Sequence, residues 1–119
     1  MKVSGIDIGM TRGDTESLDV TMKDGHTGEP VPFEAGDVAT MTVRKARKQG
    51  SQLLFAITAA SYDGSTATFW LPPELTADLK AGDYVYDVQV TFADGDIKTI
   101  VGGGEKDAIF HLWQDVTYE

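Results

Sequence analysis

The sequence predicts an all-β domain, built as a two-layer antiparallel β-sandwich of seven to nine strands with one short helical turn. Three observations predict it. Residues 82–92 alternate strictly: Tyr84, Tyr86, Val88, Val90 and Phe92 share one face of an extended chain, and Asp83, Val85, Asp87, Gln89 and Thr91 share the other. Period-two alternation rich in aromatic and β-branched residues marks a strand packed on one side. Residues 14–23, 38–44 and 66–71 alternate in the same way. Turn signals separate these runs at short intervals, with Asp24-Gly25, Asp63-Gly64 and Asp94-Gly95 as the clearest.

The entry to the longest run is more specific. Leu79, Gly82 and Tyr84 form a Leu-x-x-Gly-x-Tyr segment. It resembles the tyrosine corner of immunoglobulin-like sandwiches, where a tyrosine hydroxyl turns back to the preceding loop and its ring closes the end of the core. The resemblance implies an immunoglobulin-like β-sandwich. Tyr86 stands where antibody domains carry a cysteine, so no inter-sheet disulfide is available. The plainer reading is two half-buried tyrosines on a strand.

The elements follow in order. Residues 1–10 read as an extended arm or the first strand, since Val3, Ile6 and Ile8 are interrupted by Gly5 and Gly9. In residues 14–23, Leu18, Val20 and Met22 point one way and Asp19, Thr21 and Lys23 the other. Pro30 and Pro32 confine the next extended segment to an edge or a loop. Residues 38–44 turn Ala39, Met41 and Val43 inward. Residues 53–59 are nearly continuously apolar, which suits a strand buried on both faces or a helix, and the alternation of the neighbouring segments selects the strand. Residues 66–71 set Ala67, Phe69 and Leu71 on one face, and Pro72-Pro73 stops them. Residues 73–79 read as a helical turn that crosses between sheets, with Pro73 at its start and Leu75 and Leu79 four apart. Ile97, Thr99 and Val101 return antiparallel to residues 82–92. Gly102, Gly103 and Gly104 then read as a bend between strands, because the residues after them alternate as a strand, not as a phosphate-binding helix.

Composition bounds the function. At 119 residues the chain is one domain, spanning 1–119. Its apolar fraction of 41% and charged fraction of 24% suit a folded protein with a real core. No apolar run approaches the roughly 18 residues of a membrane span, and no signal pattern opens the chain. Without cysteine there is no thiolate nucleophile or thiolate metal site. A formal charge of -9 speaks against nucleic acid, which needs a basic surface. The basic run Arg44, Lys45, Arg47 and Lys48 is a solvated hairpin tip on the plain reading and an anionic contact on the functional one.

Chemistry is sparse. His26 and His111 are far apart in sequence and lack metal-ligand spacing. The acids Asp14, Asp24, Asp37, Asp83, Asp87, Asp94 and Asp96 fall at loops without a calcium-loop pattern. No nucleophile elbow or marked pair of acids is present, so the expectation is no enzyme and no cofactor. Trp70 and Trp113 are candidate contact residues, together with Arg44, Lys45, Arg47 and Lys48. An aromatic platform for sugars, from Trp70, Trp113, Tyr62 and Tyr118, is the alternative.

One ordered set of segments resembles a known family. Residues 13–15 and 18–20 are followed by 39–43, by 67–71 with Glu74-Leu75-Thr76, by Gly82-x-Tyr84-x-Tyr86-Asp87, and by a closing Asp115-Val116-Thr117. The order is similar to the N-terminal immunoglobulin-like domain of baseplate upper proteins in tailed phages and prophages. The resemblance implies a non-enzymatic structural part of a tail or baseplate, located in the virion and assembled in the bacterial cytoplasm. Its partners would be other tail proteins or copies of itself, with a homo-oligomer as one form, and neither nucleic acid nor membrane. Proteins of that kind carry further domains. This chain ends where the domain would, as a stand-alone accessory protein or a piece of a longer one.

Overall fold

A computed structural model describes residues 1–47, 50–102 and 107–115. Among them are ten strands: β1 (Lys2–Ser4), β2 (Asp7–Thr11), β3 (Glu16–Thr21), β4 (Val38–Arg44), β5 (Leu53–Thr58), β6 (Ser61–Asp63), β7 (Thr66–Leu71), β8 (Gly82–Thr91), β9 (Ile97–Val101) and β10 (Ala108–Trp113). Eight of these have five residues or more, within the expected range. β1 and β6 are three-residue hairpin partners. The helical element is a single 3₁₀ turn, Pro73–Leu75, with the proline at its start.

The strands form the two layers of a β-sandwich. The larger sheet runs β1-β2-β10-β8-β4-β5, with β9 also on β8, and the smaller runs β3-β7-β6. The 3₁₀ turn lies on the crossing from β7 in the small sheet to β8 in the large one. One pairing departs from an all-antiparallel arrangement: β10 pairs β2 in parallel, with His111 opposite Gly9 and Trp113 opposite Thr11. The long chain between β2 and β10 makes that possible, since parallel neighbours need a crossover rather than a tight turn.

Alternation sets the core. Leu18 and Val20 of β3, Ala67, Phe69 and Leu71 of β7, Ala39, Met41 and Val43 of β4, Tyr86, Val88 and Val90 of β8, and Ala108, Phe110 and Leu112 of β10 are all buried. Phe110 meets Phe55 edge to face, with ring centroids 6.1 Å apart. Residues 1–10, an arm or a first strand by sequence, form the β1–β2 hairpin instead, and β2 delivers Ile8 and Met10 to the core.

β5 corrects the expectation for residues 53–59. It is the outer strand of the large sheet, and only Phe55 is buried while Leu53 is 49% exposed. An uncharged run predicts burial, but an edge position leaves one side of the strand without a neighbour.

The β8 edge facing β10 and β9 is shared. Tyr86 pairs with Ala108 of β10, and Val88 pairs with Val101 of β9. The last strand direction is therefore interrupted opposite Asp87. Gly102 begins the interruption at φ 82°, where a Cβ would stand 2.7 Å from the Tyr86 carbonyl oxygen. Gly103 and Gly104, the rest of the predicted bend, lie outside the described residues.

Candidate functional site

The corner residues come together at one end of the sandwich. The Tyr84 hydroxyl donates to the Lys80 carbonyl, four residues back. Leu79 packs against the core, and Gly82, at φ 157°, opens β8. Two contacts beside them carried no local sequence signal. Thr76 is fully buried, and its Oγ1 accepts from the Gly13 N–H at 2.9 Å. Arg12 donates through Nε and Nη2 to one Asp115 oxygen, at 3.2 and 2.8 Å, and its Nη1 reaches the Leu79 carbonyl at 3.4 Å. Arg12 and Asp115 are 103 residues apart, so spacing could not have found them.

Tyr86, at the position of the missing cysteine, makes its own inter-strand tie. Its hydroxyl donates to the Ile6 carbonyl in the β1–β2 turn. Ala108, its small cross-strand partner, lies between β8 and the β2 side of the sheet. Burial first, and the nearby Asp7 carboxylate second, push the Tyr86 hydroxyl up to about 12. The same Asp7 accepts from the Ile109 N–H at 3.0 Å.

The structure does not gather the candidate aromatics. Trp70 is 54% exposed beside Ser17, on the outer face of the small sheet. Trp113 is 44% exposed on the outer face of the large sheet, in register with Thr11. Tyr62 is 40% exposed at the sandwich edge, where its hydroxyl accepts from the Ala39 N–H at 2.9 Å and its ring packs on Phe33. Tyr118 lies outside the described residues. Trp70, Trp113 and Tyr62 do not make one platform.

Trp113 has a built setting of its own. Its indole covers Gly9, where an added Cβ would stand 2.4 Å from Cη2. The His111 ring lies parallel to it, with centroids 6.4 Å apart, and His111 Nδ1 is 2.7 Å from an Asp83 oxygen. Gly9, His111 and Trp113 border a cleft of about 300 Å³ together with Lys2, Ser4 and Asp7. His111 and Asp83 are cross-strand partners, a pairing visible only once register is known.

The basic tip folds onto the interrupted edge. Arg44 Nη1 donates to the Ser51 carbonyl at 3.2 Å, and Arg47 Nη1 donates to Asp107 at 3.0 Å. Lys45 is exposed, and Lys48 lies outside the described residues. Arg44, Arg47, Thr42, Asp87, Thr99 and Gly102 border a cleft of about 310 Å³. Burial raises the Asp87 carboxyl, and Arg44 pulls it the other way. Arg47 thus meets the Asp107 carboxylate directly, while Arg44 acts on Asp87 through its charge alone.

Three further acids are engaged locally. Asp24 accepts from the N–H groups of His26 and Thr27, which holds its carboxyl below the usual range. Asp37 accepts from the Glu34 and Ala93 N–H groups, and Asp94 from that of Asp96. Among the described residues no group of three or more His, Asp or Glu side chains converges as a metal site would require. No described helix is long and apolar enough to cross a membrane.

No known family model matches the chain, and no curated protein matches it.

Proposed function

We propose that the chain is a non-enzymatic structural module of a phage or prophage tail or baseplate, working through protein–protein contacts. The observation that carries the reading is the placement of one exposed tryptophan on each outer face of a rigid sandwich, Trp70 on the small sheet and Trp113 on the large one. Exposed tryptophans with apolar neighbours are typical anchors of protein interfaces. A domain that presents one on each side is suited to sit between two neighbours. The order of segments that resembles baseplate domains supports the same reading.

The test is localisation. Particles released from an induced lysogen that encodes the chain are banded by density and probed with an antibody against it. The expected result is labelling of tails and co-banding with tail proteins. Particles that band free of the chain, with the protein left in the soluble fraction, overturn the proposal.

A second reading, a glycan-binding module, is favoured by the Trp113 setting. A flat exposed indole bordered by Lys2, Ser4, Asp7 and His111 offers stacking and hydrogen bonds together. Quenching of tryptophan emission by members of a glycan panel, lost in Trp113→Ala, would select it. An unchanged emission across the panel would remove it.

A further inference from the structure

Among the described residues, five strand edges of this sandwich face no neighbouring strand, and four of them are guarded. β1 and β6 are three residues long, and they carry Lys2 and Asp63. β3 carries Glu16 and Asp19, and β9 carries Lys98. Short length and charge are the usual devices that keep an edge from pairing with another chain. β5 has neither: Leu53-Leu54-Phe55-Ala56-Ile57-Thr58 contains no charge and no proline. Its one irregularity is a slip of register at the start, beside Val43 and Arg44, and from Phe55 to Thr58 the ladder is regular.

The ladder also says which backbone groups are free. Ala59 N–H donates to the Ala39 carbonyl. Hydrogen-bonding direction alternates along an antiparallel strand, so Phe55 and Ile57 point their backbone groups at β4. Leu54, Ala56 and Thr58 then point theirs outward, with Ala56 and Thr58 exposed.

Charge along the large sheet selects the partner's orientation. At the end where β4 stops and β5 starts stand Arg44 and Lys45, with Arg47 beside them in its ion pair with Asp107. At the opposite end, where β4 starts and the β8–β9 turn lies, stand Glu34, Asp37, Asp94 and Asp96, with Lys98 nearby on β9. A second copy laid antiparallel along β5 brings each basic tip toward the other copy's acidic end. A parallel copy would set like charges side by side. An antiparallel pairing of identical strands is also closed by a two-fold axis, so assembly stops at two.

From the unguarded edge and the complementary ends we infer that the chain forms a two-fold dimer, β5 against β5, fusing the two large sheets into one continuous sheet. The inference rests on the protein–protein reading above and names one partner as a second copy of the same chain. Electrostatics fixes the orientation, while backbone hydrogen bonds and the flanking apolar side chains hold the contact.

Sedimentation velocity over a concentration series tests it, on the wild type and on two variants. Ala56→Lys adds the missing edge charge, and Ala56→Pro removes an outward N–H while sparing the β4 ladder. Thermal melts followed by far-UV circular dichroism show that each variant is folded. The expected result is a wild type that moves to twice the monomer mass with rising concentration, and folded variants that stay monomeric at least tenfold higher in concentration. A wild type that stays monomeric, including one that binds only a different protein, overturns the dimer, as do growth beyond two copies and a dimer indifferent to both variants. Tail labelling of particles is scored separately, so failure here leaves the tail proposal standing and failure there leaves the dimer standing.

Discussion

The Tyr86 hydroxyl is bonded to the Ile6 carbonyl, 80 residues away in the chain. That contact ties the middle of β8 to the turn of the β1–β2 hairpin, across the strand between them. It does with a hydrogen bond some of what a disulfide does in antibody domains, with the difference that it joins strands of one sheet.

Tyr86→Phe keeps the ring and removes the donor, leaving the Ile6 carbonyl without that partner. The expected loss is about 1–2 kcal/mol of unfolding free energy, read from the shift of the urea midpoint at unchanged slope. The variant also changes the alkaline limb of stability. The hydroxyl is pushed up to about 12 in the fold, against 10.0 for an ordinary tyrosine. The fold therefore favours the neutral phenol, and that contribution is fully present below about pH 10 and lost as pH rises toward about 12. The difference between wild type and variant should shrink over that interval. A difference that stays constant would contradict the assignment.

Gly9→Ala places a Cβ 2.4 Å from Trp113 Cη2. The atom it meets is the far end of a side chain, so the indole should swing outward and the sheet should hold. We expect a cost of about 1 kcal/mol and a red shift of tryptophan emission. In a Trp113→Ala background the same substitution should cost almost nothing. A double-mutant cycle measures the coupling directly.

Phe110 is fully buried between the sheets and packs edge to face on Phe55. Phe110→Ala should cost about 3–5 kcal/mol, the largest effect among these predictions. Denaturant titration checks it, and a loss below 1 kcal/mol, compared with that expected range, would mean the core is not built as described.

Thr76 is buried with its Oγ1 accepting from Gly13 N–H. Thr76→Val preserves shape and strands that N–H, at about 1–3 kcal/mol. Thr76→Ser should recover most of the loss. Equal destabilisation by both would point to packing of the methyl group as the cause.

Much of this arrangement was readable before any coordinates. The inward sets of β4, β7 and β8 follow from alternation, because side chains on a strand change face at every residue. Residues 53–58 show where that reading stops. Their composition says apolar strand, yet their burial depends on a neighbour that never arrives. The cross-strand pair of His111 and Asp83, the Arg12–Asp115 contact and the Thr76–Gly13 bond depend on register and topology, which no local pattern carries.

Local chemistry was thus enough to make this chain a β-sandwich with Tyr84 at its corner: alternation, turn residues and the four prolines are properties of neighbours in the chain. Packing made the other choices. It set β2 parallel to β10, put Trp70 and Trp113 on opposite outer faces, and left β5 at an unguarded edge. The reason is physical: a strand's pattern says which side it buries, but not which strand lies beside it, since backbone hydrogen bonds are alike for every pair.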